Sequence, residues 1–299
     1  MSPSLPEILR SLWHRRLGLI EHWRPAVRQG KDPEALHQFR VSIRTLLSIH
    51  AAFGLKTIHP ELGPVCRRLK DILQAAGPTR DLDVQLVRVR DLEEEAGNDL
   101  ADFLADWRRF LTTQRSRAFR TWVSELERFP DLVDLKPVSS EAEESRHLQT
   151  CFHHHLHRRS DHIHKVLHAL NTASLTDETS TRLHRLRIRL KQVRYPLAVW
   201  NEFLGGRLDP DLATFKQLQD ELGTYHDQEV HLAWLNAFFQ QTPAPQTGAG
   251  NDYLVQASQR RQRLFRRFRD HWLEGQLEEF LRSLTSRLEP EPPLKSPLA

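Results

Sequence analysis

Residues 35–47 read A-L-H-Q-F-R-V-S-I-R-T-L-L, and residues 182–194 read R-L-H-R-L-R-I-R-L-K-Q-V-R. Shifting the first segment by 147 positions places apolar residues on apolar residues, as any two amphipathic helices would allow. The same shift also places His37 on His184, Arg40 on Arg187 and Arg44 on Lys191. Because polar positions recur together with apolar ones, the sequence predicts an internal duplication.

The composition of the 299-residue chain favours helices over strands. Only 12 residues are glycine, and leucine and arginine are far more common than the β-branched residues. We therefore predict an all-α fold made of two pseudo-twofold-related helical bundles of about four to five helices each. The apolar periodicity predicts helices near residues 5–29, 33–53, 60–76, 80–96, 98–129, 142–170, 178–204, 209–223, 225–240 and 252–288.

A break rich in proline, serine and aspartate separates the two predicted halves. We predict an N-terminal half over residues 5–130, a linker over 131–141, a C-terminal half over 142–288 and a disordered tail over 289–299. Four glycines are predicted to end helices, namely Gly54, Gly77, Gly205 and Gly223. No apolar run approaches the roughly 20 residues that span a bilayer, so we expect a cytoplasmic protein.

The repeated helices carry cations beside their apolar faces. On a helical wheel, His184, Arg187, Lys191 and Arg194 fall within one arc of about 80°, next to an arc of leucine and valine. Cations at the border of a core are partly desolvated, which strengthens their interaction with an anion. The first half has Leu47 where the second has Arg194, so we expect the second half to bind an anion more strongly. The simpler alternative is a solvated helix face with extended arginine side chains.

A second pair of segments matches at an offset of 146. Residues 69–84 align with residues 215–230, so that Arg80-Asp81 falls on His226-Asp227. In both copies the glycine three residues before the basic residue predicts that one helix ends and another begins. An aspartate in the first turn of the new helix would then interact favourably with the helix dipole, so we predict that Asp81 and Asp227 are capping residues.

Four ordered motifs resemble the CHAD domain, the conserved histidine α-helical domain, over residues 5–288. They are H-x-x-R-V-x-x-R at 37–44, G-x-x-R-D-x-D-V at 77–84, H-x-x-R-x-x-x-K-x-x-R-Y at 184–195 and L-G-x-x-H-D at 222–227. The resemblance implies a basic central groove or pore between two helical halves. It also implies binding of inorganic polyphosphate without catalysis, often at polyphosphate granules. The residues that it implicates are His37, Arg40, Arg44, Arg80, His184, Arg187, Lys191, Arg194, Lys216 and His226.

The chain departs from the family pattern in two places. The first motif usually continues R-R-x-R, whereas this chain has Arg44-Thr45-Leu46-Leu47, which again predicts a stronger second half. The E-x-E-x-K motif of the tunnel-fold triphosphatase domain that often precedes a CHAD domain is absent. We therefore expect a stand-alone binding module that needs no cofactor or metal. Protonation of its histidines should tighten polyphosphate binding as the pH falls through about 6.5.

Three other functions remain open from the sequence. His226-Asp227, with His37 and His184, could form the metal centre of a phosphohydrolase acting on polyphosphate or nucleotides, but the aligned Arg80 cannot ligate a metal. The histidines between residues 153 and 168 include i,i+4 pairs that could chelate zinc, although a solvated helix face is the simpler interpretation. Basic helices and seven tryptophans could bind nucleic acid, but the tryptophans lie in amphipathic patterns typical of cores. We expect nucleic acid only as a non-specific competitor.

Overall fold

The protein is predominantly helical in the part of the chain that the computed structural model describes, which covers residues 3–95, 98–170, 174–241 and 248–288. No strand occurs in these ranges, so the predicted all-α class is confirmed. The helices are α1 (Leu5–Gln29), α2 (Pro33–Ala52), α3 (Leu55–Ile58), α4 (Leu62–Ala75), α5 (Gly77–Glu95), α6 (Asn98–Val123), α7 (Glu141–Leu170), α8 (Asp177–Phe203), α9 (Asp209–Gln241), α10 (Gly248–Phe268) and α11 (Gln276–Arg287). A 3₁₀ segment follows α6 at Ser124–Arg128, and a π-helical turn follows α10 at Arg269–Leu273.

The two helices that carry the repeated stripes begin at side-chain caps. The Asp32 carboxylate accepts a hydrogen bond from the Glu34 backbone N–H at the start of α2. The Thr176 hydroxyl accepts one from the Thr179 backbone N–H at the start of α8. These caps fix where each helix begins, and therefore which residues of the helix face inward.

The glycine predictions succeed at three positions and fail at one. Gly54 and Gly205 have positive φ of 63° and 66°, in the left-handed region that follows a helix. Helix α4 ends at Ala75 and α5 begins at Gly77, so a helix also ends beside Gly77. Gly223 lies inside the unbroken helix α9. The predicted break between residues 209–223 and 225–240 is therefore wrong, because the residues flanking Gly223 pack well enough to hold a helical glycine. The predicted helix over 252–288 is instead interrupted by the π-helical turn.

The larger hydrophobic core joins helices from both sequence halves. Its buried side chains come from α1, α2 and α4 on one side and from α7, α8, α11 and the first part of α9 on the other. Phe39 of α2 and Leu186 of α8 are fully buried within it. The apolar faces of the two repeated helices therefore contribute to one shared core rather than to two separate ones.

A smaller core is shared in the same way. It contains Leu82 and Val89 of α5, Trp107 of α6, and Leu235 and Phe238 of the second part of α9, together with Ala257 of α10. Helix α9 thus contributes to both cores along its length. Residues 129–140 have no regular secondary structure and connect the two halves of the chain. The division into two halves stays a prediction from the repeat, and the predicted disordered tail over 289–299 lies outside the described residues.

Several contacts recur at the offset of 146. The carboxylate of Asp83 pairs with Arg115 at 2.9 Å, and their counterparts Glu229 and Arg261 pair at 3.3 Å. The counterparts Gln85 and His231 contact each other directly, with 2.7 Å between Gln85 Oε1 and His231 Nδ1. A pseudo-twofold axis through this region would bring equivalent residues into contact in this way. The axis itself stays a prediction.

Candidate functional site

The two repeated helices bring their cations to one place. Arg40 and Arg44 of α2, Arg80 of α5, and Arg187 and Lys191 of α8 are all partly buried, and we call them the central cation cluster. Arg44 lowers the pKa of both Arg187 and Lys191, and Arg80 lowers that of Arg40. These mutual effects require short separations, since solvent screens charges that lie far apart. The cluster therefore combines positive charge from both sequence halves.

Desolvation makes this positive charge costly to keep. Burial, followed by the charge of Arg44, lowers the pKa of Arg40 to about 10. Burial and the neighbouring Arg187 and Arg44 lower the pKa of Lys191 from 10.5 to about 7. The buried Nε of Arg187 has no hydrogen-bond partner within the described part of the chain. A bound anion would relieve the repulsion and could accept this hydrogen bond, so the cluster is suited to polyanions.

Two carboxylates lie beside the cluster. Asp81 and Asp227 occupy corresponding positions, and the structure shows that neither is a helix cap. Asp81 lies beyond the first turn of α5, and Asp227 lies in the interior of α9, so the predicted capping role is wrong. Desolvation raises the pKa of both carboxyls, while Arg40 and Arg187 lower the pKa of Asp81 again. Their negative charge holds the arginines close together in the absence of a ligand.

The predicted histidines lie along the cluster but are not charged near neutral pH. His184 and His226 contact each other, with 3.4 Å between their Nδ1 atoms and 4.8 Å between their ring centroids. Burial and the charge of Arg187 lower the pKa of His226 to about 3. Burial and nearby arginines also lower the pKa of His37 and His184. The predicted histidine titration near 6.5 is therefore wrong for the unliganded protein, whose titrating cation near pH 7 is Lys191.

The remaining predicted residues lie toward the second half. Arg194 of α8 donates a hydrogen bond of 2.9 Å to Gln219 Oε1 of α9. Lys216 is exposed and shares a face of α9 with Gln219 and His226 at helical spacing. Leu47, which replaces Arg194 in the first half, is a partly buried side chain packed against the larger core. The cations thus extend further along α8 than along α2, whereas Lys216 has a basic counterpart in Lys70.

Three residues near the cluster were missed from the sequence. Tyr195 raises the pKa of both Arg16 and Arg187, so its hydroxyl lies near both guanidinium groups. Arg88 donates a hydrogen bond of 2.8 Å to Gln228 Oε1, and its pKa responds to Asp227. Tyr195 follows Lys191 by one helical turn, a spacing that could have identified it. Nothing in the sequence marks Arg16, because α1 carries no repeated motif.

The structure gives less support to the metal-centre, zinc-chelation and nucleic-acid alternatives than to anion binding. Among the described residues, no group of three or more histidine, cysteine, aspartate or glutamate side chains could hold a metal ion. The histidines of α7 point in different directions, since His155 is buried and contacts the Gln192 carbonyl at 3.0 Å, while His154 and His157 are exposed. Five tryptophans are buried, namely Trp13, Trp107, Trp122, Trp200 and Trp272, and so cannot stack on nucleobases.

None of the helices within the described ranges is both long and apolar enough to cross a membrane.

Comparison with known proteins gives matches in both sequence and fold. The sequence profile of the CHAD domain matches residues 11–236. The crystal structure of the CHAD domain from the plant Ricinus communis is similar at 24% identity and a TM-score of 0.56, over 94% of this chain and 93% of that one. PptA from Streptomyces chartreusis is similar at 15% identity and a TM-score of 0.55, over 96% and 99% of the two chains. At these identities the two structures support the fold alone. No curated protein matches this chain in sequence.

Proposed function

The chain belongs to the CHAD domain family, and from that premise we propose that it binds inorganic polyphosphate along the central cation cluster, without catalysis. The family resemblance suggests the ligand, and the side chains of this protein supply the physical reason. We further propose that it acts in the cytoplasm, at polyphosphate granules where these form.

One observation carries the proposal, namely the desolvated cation cluster built from α2, α5 and α8. Four partly buried arginines and a lysine with a pKa of about 7 lie together, and the two carboxylates of Asp81 and Asp227 can offset only part of their charge. Polyphosphate carries about one negative charge per phosphate unit, and arginine can bind two phosphate oxygens at once. A linear anion of this kind matches a row of cations on a helix better than a single small anion does.

Binding without catalysis fits the side chains around the cluster. A hydrolase needs a nucleophile, a general base near the reacting phosphate or a metal ion. Asp81 and Asp227 are the nearest acids, and both interact with arginine side chains. Incubation of the purified protein with defined-length polyphosphate and Mg²⁺, Mn²⁺ or Zn²⁺ tests this part. Metal-dependent release of phosphate would contradict it.

The test of binding is titration with polyphosphate of defined length at several salt concentrations. Arg187→Ala/Lys191→Ala and Arg40→Ala/Arg44→Ala each remove two cations of the cluster, and we expect each to weaken binding at least about tenfold. Arg185→Ala/Arg189→Ala is the matched control, because it removes the same charge from the opposite face of α8. The proposal is wrong if the control variant weakens binding as much as the cluster variants do.

Competition distinguishes polyphosphate recognition from general polyanion binding. Labelled polyphosphate is displaced with DNA or RNA of matched charge at constant ionic strength. We expect both nucleic acids to compete more weakly, because few aromatic side chains near the cluster can stack on bases. The apparent affinity should fall linearly with the logarithm of salt concentration, with a slope that decreases in the cluster variants. Equal displacement by all three polymers would indicate a non-specific polyanion site.

A further inference from the structure

Two cavities lie at corresponding places in the two halves, and the second-half cavity borders the site through His184 and His226. The first-half cavity has a volume of about 300 Å³ and lies between the start of α2 and α5. The second-half cavity has a volume of about 400 Å³ and lies between the start of α8 and α9. Asp83 lines the first and its counterpart Glu229 lines the second, as do the counterparts Val87 and Ala233. The repeat therefore provides two versions of one cavity for comparison.

The linings of the two cavities differ in charge. Lys31, Arg90 and Arg115 line the first-half cavity, together with the single carboxylate of Asp83. Of the described residues that line the second-half cavity, none is lysine or arginine, and both Asp177 and Glu229 contribute carboxylates. Arg261 pairs with Glu229 at 3.3 Å but does not line the second cavity, so a phosphate chain would be attracted more strongly to the first cavity than to the second. A ligand for the second-half cavity must therefore carry an uncharged part.

The interior of the second-half cavity offers hydrogen bonds to such a part. The Ser180 hydroxyl lies 2.8 Å from the Tyr225 hydroxyl, which donates to Glu229 Oε1 at 3.2 Å. Leu183, Leu222 and Val230 form apolar walls beside this polar group. A carboxylate and hydroxyls next to apolar walls suit a planar organic group with N–H or O–H donors.

The second-half cavity opens onto the cation stripe of α8. His184 and His226 line it and separate it from Arg187, which lowers the pKa of both histidines. Along the helix, Lys191 lies about 10 Å beyond His184 at 1.5 Å per residue. One ligand can therefore place an uncharged group in the cavity and several phosphates along Arg187 and Lys191.

From this juxtaposition we propose that the second-half cavity binds the nucleoside of a nucleoside oligophosphate, whose phosphates lie on Arg187 and Lys191. The phosphate part rests on the proposed function, whereas the nucleoside part rests on the cavity alone. The base lies against the apolar walls and the two neutral imidazole rings. The ribose and base donors face Glu229 and Tyr225.

The test compares ATP with tripolyphosphate in metal-free buffer. Tripolyphosphate carries at least as much negative charge as ATP, so charge alone gives ATP no advantage. We expect ATP to bind at least about tenfold more tightly to the wild-type protein. Ala233→Trp fills the second-half cavity and should remove this advantage while leaving tripolyphosphate binding within about twofold. The matched control is Val87→Trp, which fills the first-half cavity and should preserve the advantage.

The outcomes separate this inference from the proposed function. If ATP binds no more tightly than tripolyphosphate, or if Ala233→Trp keeps the full advantage, the nucleoside site is wrong and the phosphate site stands. If neither ligand binds to the wild type, the proposed function fails as well. Unchanged tripolyphosphate binding by Ala233→Trp also shows that this variant is folded, so loss of the ATP advantage cannot come from unfolding.

Discussion

The partly buried amine of Lys191 should make polyphosphate binding depend on pH. Its pKa falls from 10.5 to about 7, first because of burial and then because Arg187, Arg44 and Arg40 surround it, with Asp227 opposing them. This change disfavours the ammonium form by about 5 kcal/mol in the unliganded protein. A polyanion favours the ammonium form, so binding must be accompanied by proton uptake above pH 7.

The size of the effect follows from the fraction of protonated lysine. At pH 6 nearly all unliganded molecules carry the ammonium, and at pH 8 only about a tenth do, so the affinity should fall about tenfold between these values. The measurement is titration with long polyphosphate at constant ionic strength, since terminal phosphates that titrate in this range are a minor part of a long chain. Affinity should be highest below pH 7 and decrease steadily above it.

Two variants identify the titrating group. Lys191→Arg keeps a permanent positive charge and should bind with little pH dependence between 6 and 8. His184→Gln/His226→Gln should keep the wild-type dependence, because burial and Arg187 lower the pKa of both histidines, that of His226 to about 3. The reasoning is refuted if Lys191→Arg retains the tenfold change, or if the histidine variant loses it.

Three further predictions concern the asymmetry, the acids and the helical glycine. Arg194→Leu gives the second half the residue of the first at Leu47, and should weaken polyphosphate binding about threefold in the same titration. Asp227→Asn removes a negative charge beside the cluster and should tighten binding by up to about fivefold at low salt, with a smaller gain at high salt. Gly223→Ala should raise the free energy of unfolding by about 0.5–1 kcal/mol in urea denaturation, because the new Cβ meets no atom within 4 Å. Gly30→Ala should lower it, since its φ is 67° and its Cβ would lie 2.4 Å from Phe119 Cζ; equal effects would contradict this reasoning.

Periodicity was enough to predict the fold class and most helix positions. The apolar residues of α2 and α8 repeat at helical spacing, and both helices begin close to their predicted first residues. The unbroken helix at Gly223 was not predictable in this way, because glycine is a local preference that tertiary packing overrides. The sequence also could not predict that each core is shared between the two halves. An amphipathic pattern shows that one face of a helix is buried, but not which helix it packs against.

The cation cluster could be predicted in part. The repeat identified Arg40, Arg44, Arg187 and Lys191 as members of matching stripes, and the structure brings them together. The sequence could not predict the charge states of the site residues, because the pKa of Lys191 or His226 depends on burial and on cations from other helices. Arg16 was missed for a different reason, because it lies on α1, a helix without a repeated motif. Its proximity to Tyr195 follows only from the three-dimensional structure.

The two shared cores suggest how the two halves of a duplicated chain can come to differ in sequence. Given the duplication that the sequence predicts, a half-length precursor could have buried these apolar faces only by pairing with a second copy of itself. In such a homodimer every substitution occurs twice, so both cavities would have kept the same lining. Joining the copies through residues 129–140 made association intramolecular and independent of protein concentration. Each half could then mutate alone, which allowed the two cavities to acquire linings of different charge.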